Sequence, residues 1–228
     1  MDITLHYIEE GTGTPLFLLH GNGEDGTYFK HQLAYFSKKY RVIAVDTRGH
    51  GQSPRGAAPF TISQFAEDLN AFLEQRDISK AVILGFSDGA NIAMRFAMKH
   101  PEKVEALILN GGNLNARGVK ASVQIPIELG YRMTKLFSRI SEKARKNHEM
   151  LALMVDDPNI EPSELKEIHV PTLVVAGTED MIKEEHTKLL AAEIPGAELK
   201  FVKGGHFVAA KAPEEFNAAV DLFLERVL

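Results

Sequence analysis

The chain has 228 residues, of which 44% are hydrophobic and 25% charged, with a formal net charge of −5 and no cysteine. Its length suits one α/β domain with a core of its own, and the missing cysteines exclude a disulfide framework, a thiolate nucleophile and a thiolate metal site. The acidic balance offers no basic stripe for nucleic acid, and no apolar run approaches the roughly 20 residues of a membrane span.

Taken in chain order, the segment from Thr4 to Ile8 reads as an antiparallel edge strand. Short apolar runs follow at Leu16 to Leu19, Val42 to Val45, Ala81 to Leu84, Ala106 to Leu109 and Leu173 to Ala176. Uninterrupted apolar runs of this length suit strands buried on both faces, as in a mostly parallel sheet. Glu198 to Val202 alternates instead, as an edge strand does. Between the runs lie helical patterns. Thr61-x-x-Gln64 resembles a capping box opening a helix that runs to about Gln75, and Phe216, Val220, Phe223, Leu224 and Val227 form a helical stripe. The order is β-α alternation in a single α/β domain over 1–228. One interval, Asn110 to Pro171, is too long for a single crossover and predicts a helical insertion at about 114–160. Within it Leu129, Met133, Leu136, Phe137 and Ile140 repeat at helical spacing, and Leu129, Met133 and Phe137 are expected to line a substrate pocket beneath a lid.

Gly85-Phe86-Ser87-Asp88-Gly89 stands directly after one apolar run and before a helix-compatible stretch. A serine used as a nucleophile must stand clear of the backbone on a strained strand-to-helix turn, with glycines where larger side chains would collide. Its hydroxyl also needs a base, and the base a partner that holds its tautomer. His206 follows Gly204-Gly205 and is the expected base. Asp180, immediately after the run ending at Ala176, is the expected acid, with Glu179 as its rival. An oxyanion hole requires two backbone N–H groups; Asp88, after the serine, supplies one and Asn22, in His20-Gly21-Asn22-Gly23, the other. His20 reads as a structural residue, and no metal is implied.

These segments together, with Asp46-Thr47-Arg48-Gly49-His50-Gly51-Gln52-Ser53, resemble the α/β-hydrolase fold family, in particular its small, lidded, esterase-like members. The resemblance spans nearly the whole chain. It implies a mostly parallel sheet of seven or eight strands flanked by helices, a lid after the sixth strand, and catalysis without a cofactor. It assigns the Asp46 to Ser53 segment a structural turn rather than chemistry. The expected activity is a serine hydrolase cleaving a small ester-like substrate through an acyl-enzyme. A perhydrolase, a thioesterase, a lactonase and a carbon–carbon bond hydrolase use the same residues, since fold and triad leave the substrate open. A catalytically silent ligand-binding protein on this scaffold is a further alternative. The expected partner is a small molecule, not nucleic acid or membrane, and the expected state is a monomer or homodimer in the cytoplasm, since no basic stretch and apolar run open the chain as a secretory signal would.

Three other patterns in the sequence admit a further reading. Gly21-x-Gly23-x-x-Gly26, with Asp46 twenty residues further on, matches a dinucleotide-binding fingerprint, but Glu24 and Asp25 place carboxylates where a pyrophosphate would sit. The Asp88 carboxylate, as in the G-x-S-D-G pattern of hydrolases related to the valacyclovir and biphenyl hydrolases, suggests a partner for a cationic group such as the amine of an amino-acid ester; an acid favoured at a helix N-terminus explains it equally well. Arg132, Lys135, Arg139, Lys143, Arg145 and Lys146 make the insertion locally basic, which fits a solvated helix face or an anionic ligand.

Overall fold

In the computed structural model, which describes residues 1–228, the apolar runs become the strands of one seven-stranded sheet. The strands are β1 (Tyr7–Glu10), β2 (Pro15–Leu19), β3 (Arg41–Val45), β4 (Ala81–Phe86), β5 (Val104–Asn110), β6 (Thr172–Gly177) and β7 (Glu198–Val202). Their order across the sheet is β1-β3-β2-β4-β5-β6-β7, and only β1 runs antiparallel to its neighbour. The first strand thus begins a few residues later than the Thr4 to Ile8 pattern predicts. Leu5 spends its side chain in the core without joining the ladder.

Alternation along each strand divides the interior in two. Phe17, Leu19, Ile83, Leu107 and Val174 face α2 (Ile62–Gln75), α3 (Asp88–Lys99) and α6 (Glu184–Glu193). Leu16, Leu18, Val82, Ile108 and Val175 face α1 (Lys30–Phe36) and α8 (Pro213–Val227). Helices on both faces leave little of the inner strands β2 to β6 to water, which explains why the sequence runs are apolar without a break, while the edge strands β1 and β7 stay partly exposed.

The helix ends follow their local chemistry. Thr61, in extended conformation, accepts the Gln64 N–H at 3.1 Å through Oγ1, while the Gln64 side chain donates to Asp68 instead of returning to the cap. The motif is therefore half of a capping box. The apolar stripe of α8 behaves as expected, with Phe216, Val220, Phe223 and Leu224 buried.

The insertion between β5 and β6 is a helical hairpin, α4 (Ala121–Phe137) and α5 (Glu142–Val155), with α5 against the body. Leu153 reaches the core, and Arg55 pairs with Glu149 at 2.8 Å. The outer helix α4 carries the predicted stripe, but most of that stripe meets solvent. Leu129 is 63% exposed, Met133 51% and Phe137 49%. Helical spacing identifies an apolar face; it does not say which element the face meets.

Candidate active site

β4 is the central strand of the sheet, and its end delivers Ser87 to the carboxyl edge. Ser87 has φ +54° and ψ −119°, a left-handed conformation that a serine adopts only when its surroundings enforce it. The enforcing feature is a close approach of backbones. A Cβ on Gly89 would lie 1.9 Å from the Leu19 carbonyl oxygen, and one on Gly85 would lie 2.2 Å from that of Gly89. The hydroxyl makes no cap bond to α3 and is left free for another partner.

That partner is His206. Its Nε2 lies 3.0 Å from Ser87 Oγ, and its Nδ1 lies 2.7 Å from Asp180 Oδ1. The acid comes from the loop after β6 and the base from the loop after β7, so two adjacent strand ends bring together residues 26 apart in sequence. Asp180 is buried and also accepts the Ile182 N–H at 2.9 Å. Burial alone would raise its carboxyl, but the bond to His206 and the backbone amides outweigh it and hold the group below the ordinary carboxylate range. Glu179 is exposed, and the carboxylate bonded to His206 is that of Asp180.

The two predicted oxyanion donors flank this centre. Asp88 is the first residue of α3, so its N–H has no acceptor within the helix. The Asn22 N–H likewise has no protein acceptor, and Asn22 lines the same cavity as Ser87. The Asn22 side chain donates to the Met150 carbonyl of α5 at 2.7 Å, which ties the loop to the hairpin. His20 is structural, as expected. Its Nδ1 meets the Gly21 carbonyl at 2.7 Å and its Nε2 accepts the Thr47 N–H at 3.0 Å, while burial lowers its pKa and favours the neutral ring. Asp46 is filled by the N–H groups of Gly26 and Gln52 at 2.7 and 2.9 Å, which leaves it bracing a turn and not a ribose.

A cavity of about 280 Å³ opens at Ser87 and His206, lined also by Asn22, Glu24, Phe86, Met154, Met181 and Phe207. This corrects the expected pocket. Leu129, Met133 and Phe137 do not line it; Met133 and Phe137 border a separate open groove on the outside of the hairpin. None of the basic residues of the hairpin reaches the Ser87 cavity either.

The Asp88 carboxylate requires a second correction. It is buried behind the elbow, outside the cavity, with Oδ2 unpartnered and Oδ1 3.3 Å from Asn91 Nδ2. A substrate amine has no access to it. Burial, reinforced by the Asp157 carboxylate, pushes Asp88 up to about 7. Because the folded pKa lies above that of an unfolded chain, the native state holds a proton that the unfolded state has already lost, and stability falls as pH rises through about 7. Asp88→Asn, which cannot ionise, should therefore gain in thermal midpoint relative to the wild type on going from pH 5 to pH 8. A difference between the two proteins that stays constant over that range would reject the assignment.

With this geometry in hand, the comparisons with known proteins agree. Residues 14–124 match the family model described as the alpha/beta hydrolase fold. The 3-oxoadipate enol-lactonase 2 of Acinetobacter baylyi is 25% identical, over 99% of this chain and 94% of its own. The (E)-2-((N-methylformamido)methylene)succinate hydrolase of the same organism is 26% identical over 97% of this chain and 94% of its own. Among solved structures, Est816, described as an N-acyl homoserine lactone degrading enzyme, superimposes with a TM-score of 0.80 at 27% identity, covering 97% of both chains. The chain has the α/β-hydrolase fold and is similar over nearly its whole length to proteins named as a lactonase and a hydrolase. No helix is long and apolar enough to cross a membrane.

Proposed function

We propose that the chain is a serine hydrolase of small esters or lactones, with Ser87 as nucleophile, His206 as general base and Asp180 as the acid that orients the histidine. The observation that carries this reading is the relay of 3.0 and 2.7 Å from Ser87 through His206 to Asp180, set on a left-handed elbow. His206 Nε2 takes the Ser87 proton as Oγ attacks the carbonyl, and the Asn22 and Asp88 N–H groups hold the oxyanion. The imidazolium then gives its proton to the departing alkoxide. Water, deprotonated by the same nitrogen, releases the acid and restores Ser87.

Two relatives are named for lactones, which are cyclic esters, and this favours an acyl–oxygen bond over the other bonds that such triads cleave. The helical hairpin serves as the lid, presenting Met154 to the cavity. We place the reaction in the cytoplasm, where a cysteine-free chain loses nothing to a reducing environment.

The test is labelling with a fluorophosphonate probe, mapped by peptide mass, alongside hydrolysis of p-nitrophenyl esters of increasing chain length. Modification of Ser87 with ester turnover is the expected outcome. Intact protein that neither labels nor turns over an ester would replace this reading with that of a silent ligand-binding protein.

A further inference from the structure

The cavity at Ser87 is mostly apolar, walled by Phe86, Met154, Met181 and Phe207, yet one wall is a carboxylate, that of Glu24. Glu24 is only partly exposed, and its single hydrogen bond is the Gly21 N–H, 3.3 Å from Oε2. No lysine, arginine or histidine forms an ion pair with it, whereas carboxylates elsewhere on the chain such as Glu9, Glu149 and Asp221 are paired. The one cation near it is the His206 ring, and only while that ring is protonated; the other neighbouring charge is negative. Asp25 stands beside it, and the Tyr28 hydroxyl is buried without a partner, raised far above the ordinary phenol range by burial and by the charges of Glu24 and Asp180. Burial likewise raises the Glu24 carboxyl, the cost of holding an unpaired charge in an apolar wall.

Resting on the serine-hydrolase reading above, we propose that Glu24 is a specificity-determining residue that selects substrates bearing a positive charge near the scissile ester and turns away those bearing a carboxylate. A cation entering the cavity supplies the partner that the fold withholds, so part of the carboxylate's desolvation cost is recovered on binding. An anion meets a like charge with little water between them. The relative named for a methylenesuccinate derivative handles a substrate with carboxylates; a cavity walled by Glu24 is built for the opposite sign. Gly21 binds the same carboxylate, so Glu24 also holds the loop that carries Asn22, and the test must separate the two roles.

The experiment compares kcat/KM for three isosteric esters in wild type and Glu24→Gln: one with a trimethylammonium group, its neutral tert-butyl counterpart, and one with a carboxylate. Two such series place the charge once on the acyl side and once on the alcohol side. In at least one series the wild type should favour the cation over the neutral ester by about tenfold or more and disfavour the anion by a similar factor, about what one moderately screened charge pair provides. Glutamine keeps an acceptor for Gly21, so both ratios should collapse toward one in the variant, whatever common factor the three esters share. Ratios that the substitution leaves unchanged, or a uniform loss across all three esters, would overturn the proposal. Should the wild type hydrolyse none of them, the catalytic reading fails, and calorimetric binding of choline against 3,3-dimethylbutanol still decides Glu24. Preference for choline that disappears in Glu24→Gln supports the inference, and equal binding rejects it.

Discussion

Replacing Ser87 with alanine should lower kcat for a good ester by at least about 10⁴-fold, as removal of a triad nucleophile does elsewhere, while the protein melts within a few degrees of the wild type. The two halves of that expectation have separate grounds. The hydroxyl is the group placed to attack, because Nε2 of His206 lies 3.0 Å from it and both line the same cavity. Its loss removes one hydrogen bond, worth about 1 kcal/mol, and leaves the elbow braced by the same glycine contacts. Steady-state rates with a p-nitrophenyl ester and a thermal melt followed by circular dichroism check both halves. A variant retaining a tenth of the wild-type rate would reject Ser87 as nucleophile.

The largest expected loss of stability lies outside the site, at Arg48. Its side chain is wholly buried and grips Asp68 with two bonds of 2.7 Å, from Nε and Nη2. Nη1 also reaches the Arg55 carbonyl at 3.0 Å, and Nη2 reaches Asp2 at 2.6 Å. The residue thus ties the turn after β3 to α2 and to the start of the chain. Arg48→Met fills a similar volume but leaves the Asp68 carboxylate buried with no cation and only the Gln64 amide as a side-chain donor, which should cost about 3–5 kcal/mol in urea unfolding. The double variant Arg48→Met, Asp68→Leu removes the orphaned charge and should recover most of that loss. A single variant within about 1 kcal/mol of wild type would show that water reaches Asp68 and the pair is not buried in solution.

The same two regions explain what was legible in the amino-acid sequence. Strands covered on both faces are apolar along their middles, so the runs inside β2, β3, β4, β5 and β6 announce themselves without any three-dimensional knowledge. Ser87, Asp180 and His206 were also within reach, because glycines forced by close backbone approach mark the turn and strand ends mark the other two. Arg48 was assigned only to a structural turn, since nothing local reveals that Asp68, a helix later, is its partner. The pocket residues failed for a related reason: the stripe on α4 obeys helical spacing, but the wall of the cavity comes from Met154 on the next helix and from loop residues without periodicity. Glu24 carries no sequence signal of a site residue, because a loop carboxylate next to Asp25 has the pattern of ordinary solvated charge and only the fold builds a cavity around it.

His206 follows an edge strand of the sheet. β7 closes the sheet on one side and is bonded to β6 alone, whereas β4, which carries Ser87, is gripped by β2 and β5. Edge elements open by local fluctuation at lower free energy than central ones. On the proposed function, an opening of β7 would carry the base away while the nucleophile stays in position, so such molecules would be folded but idle.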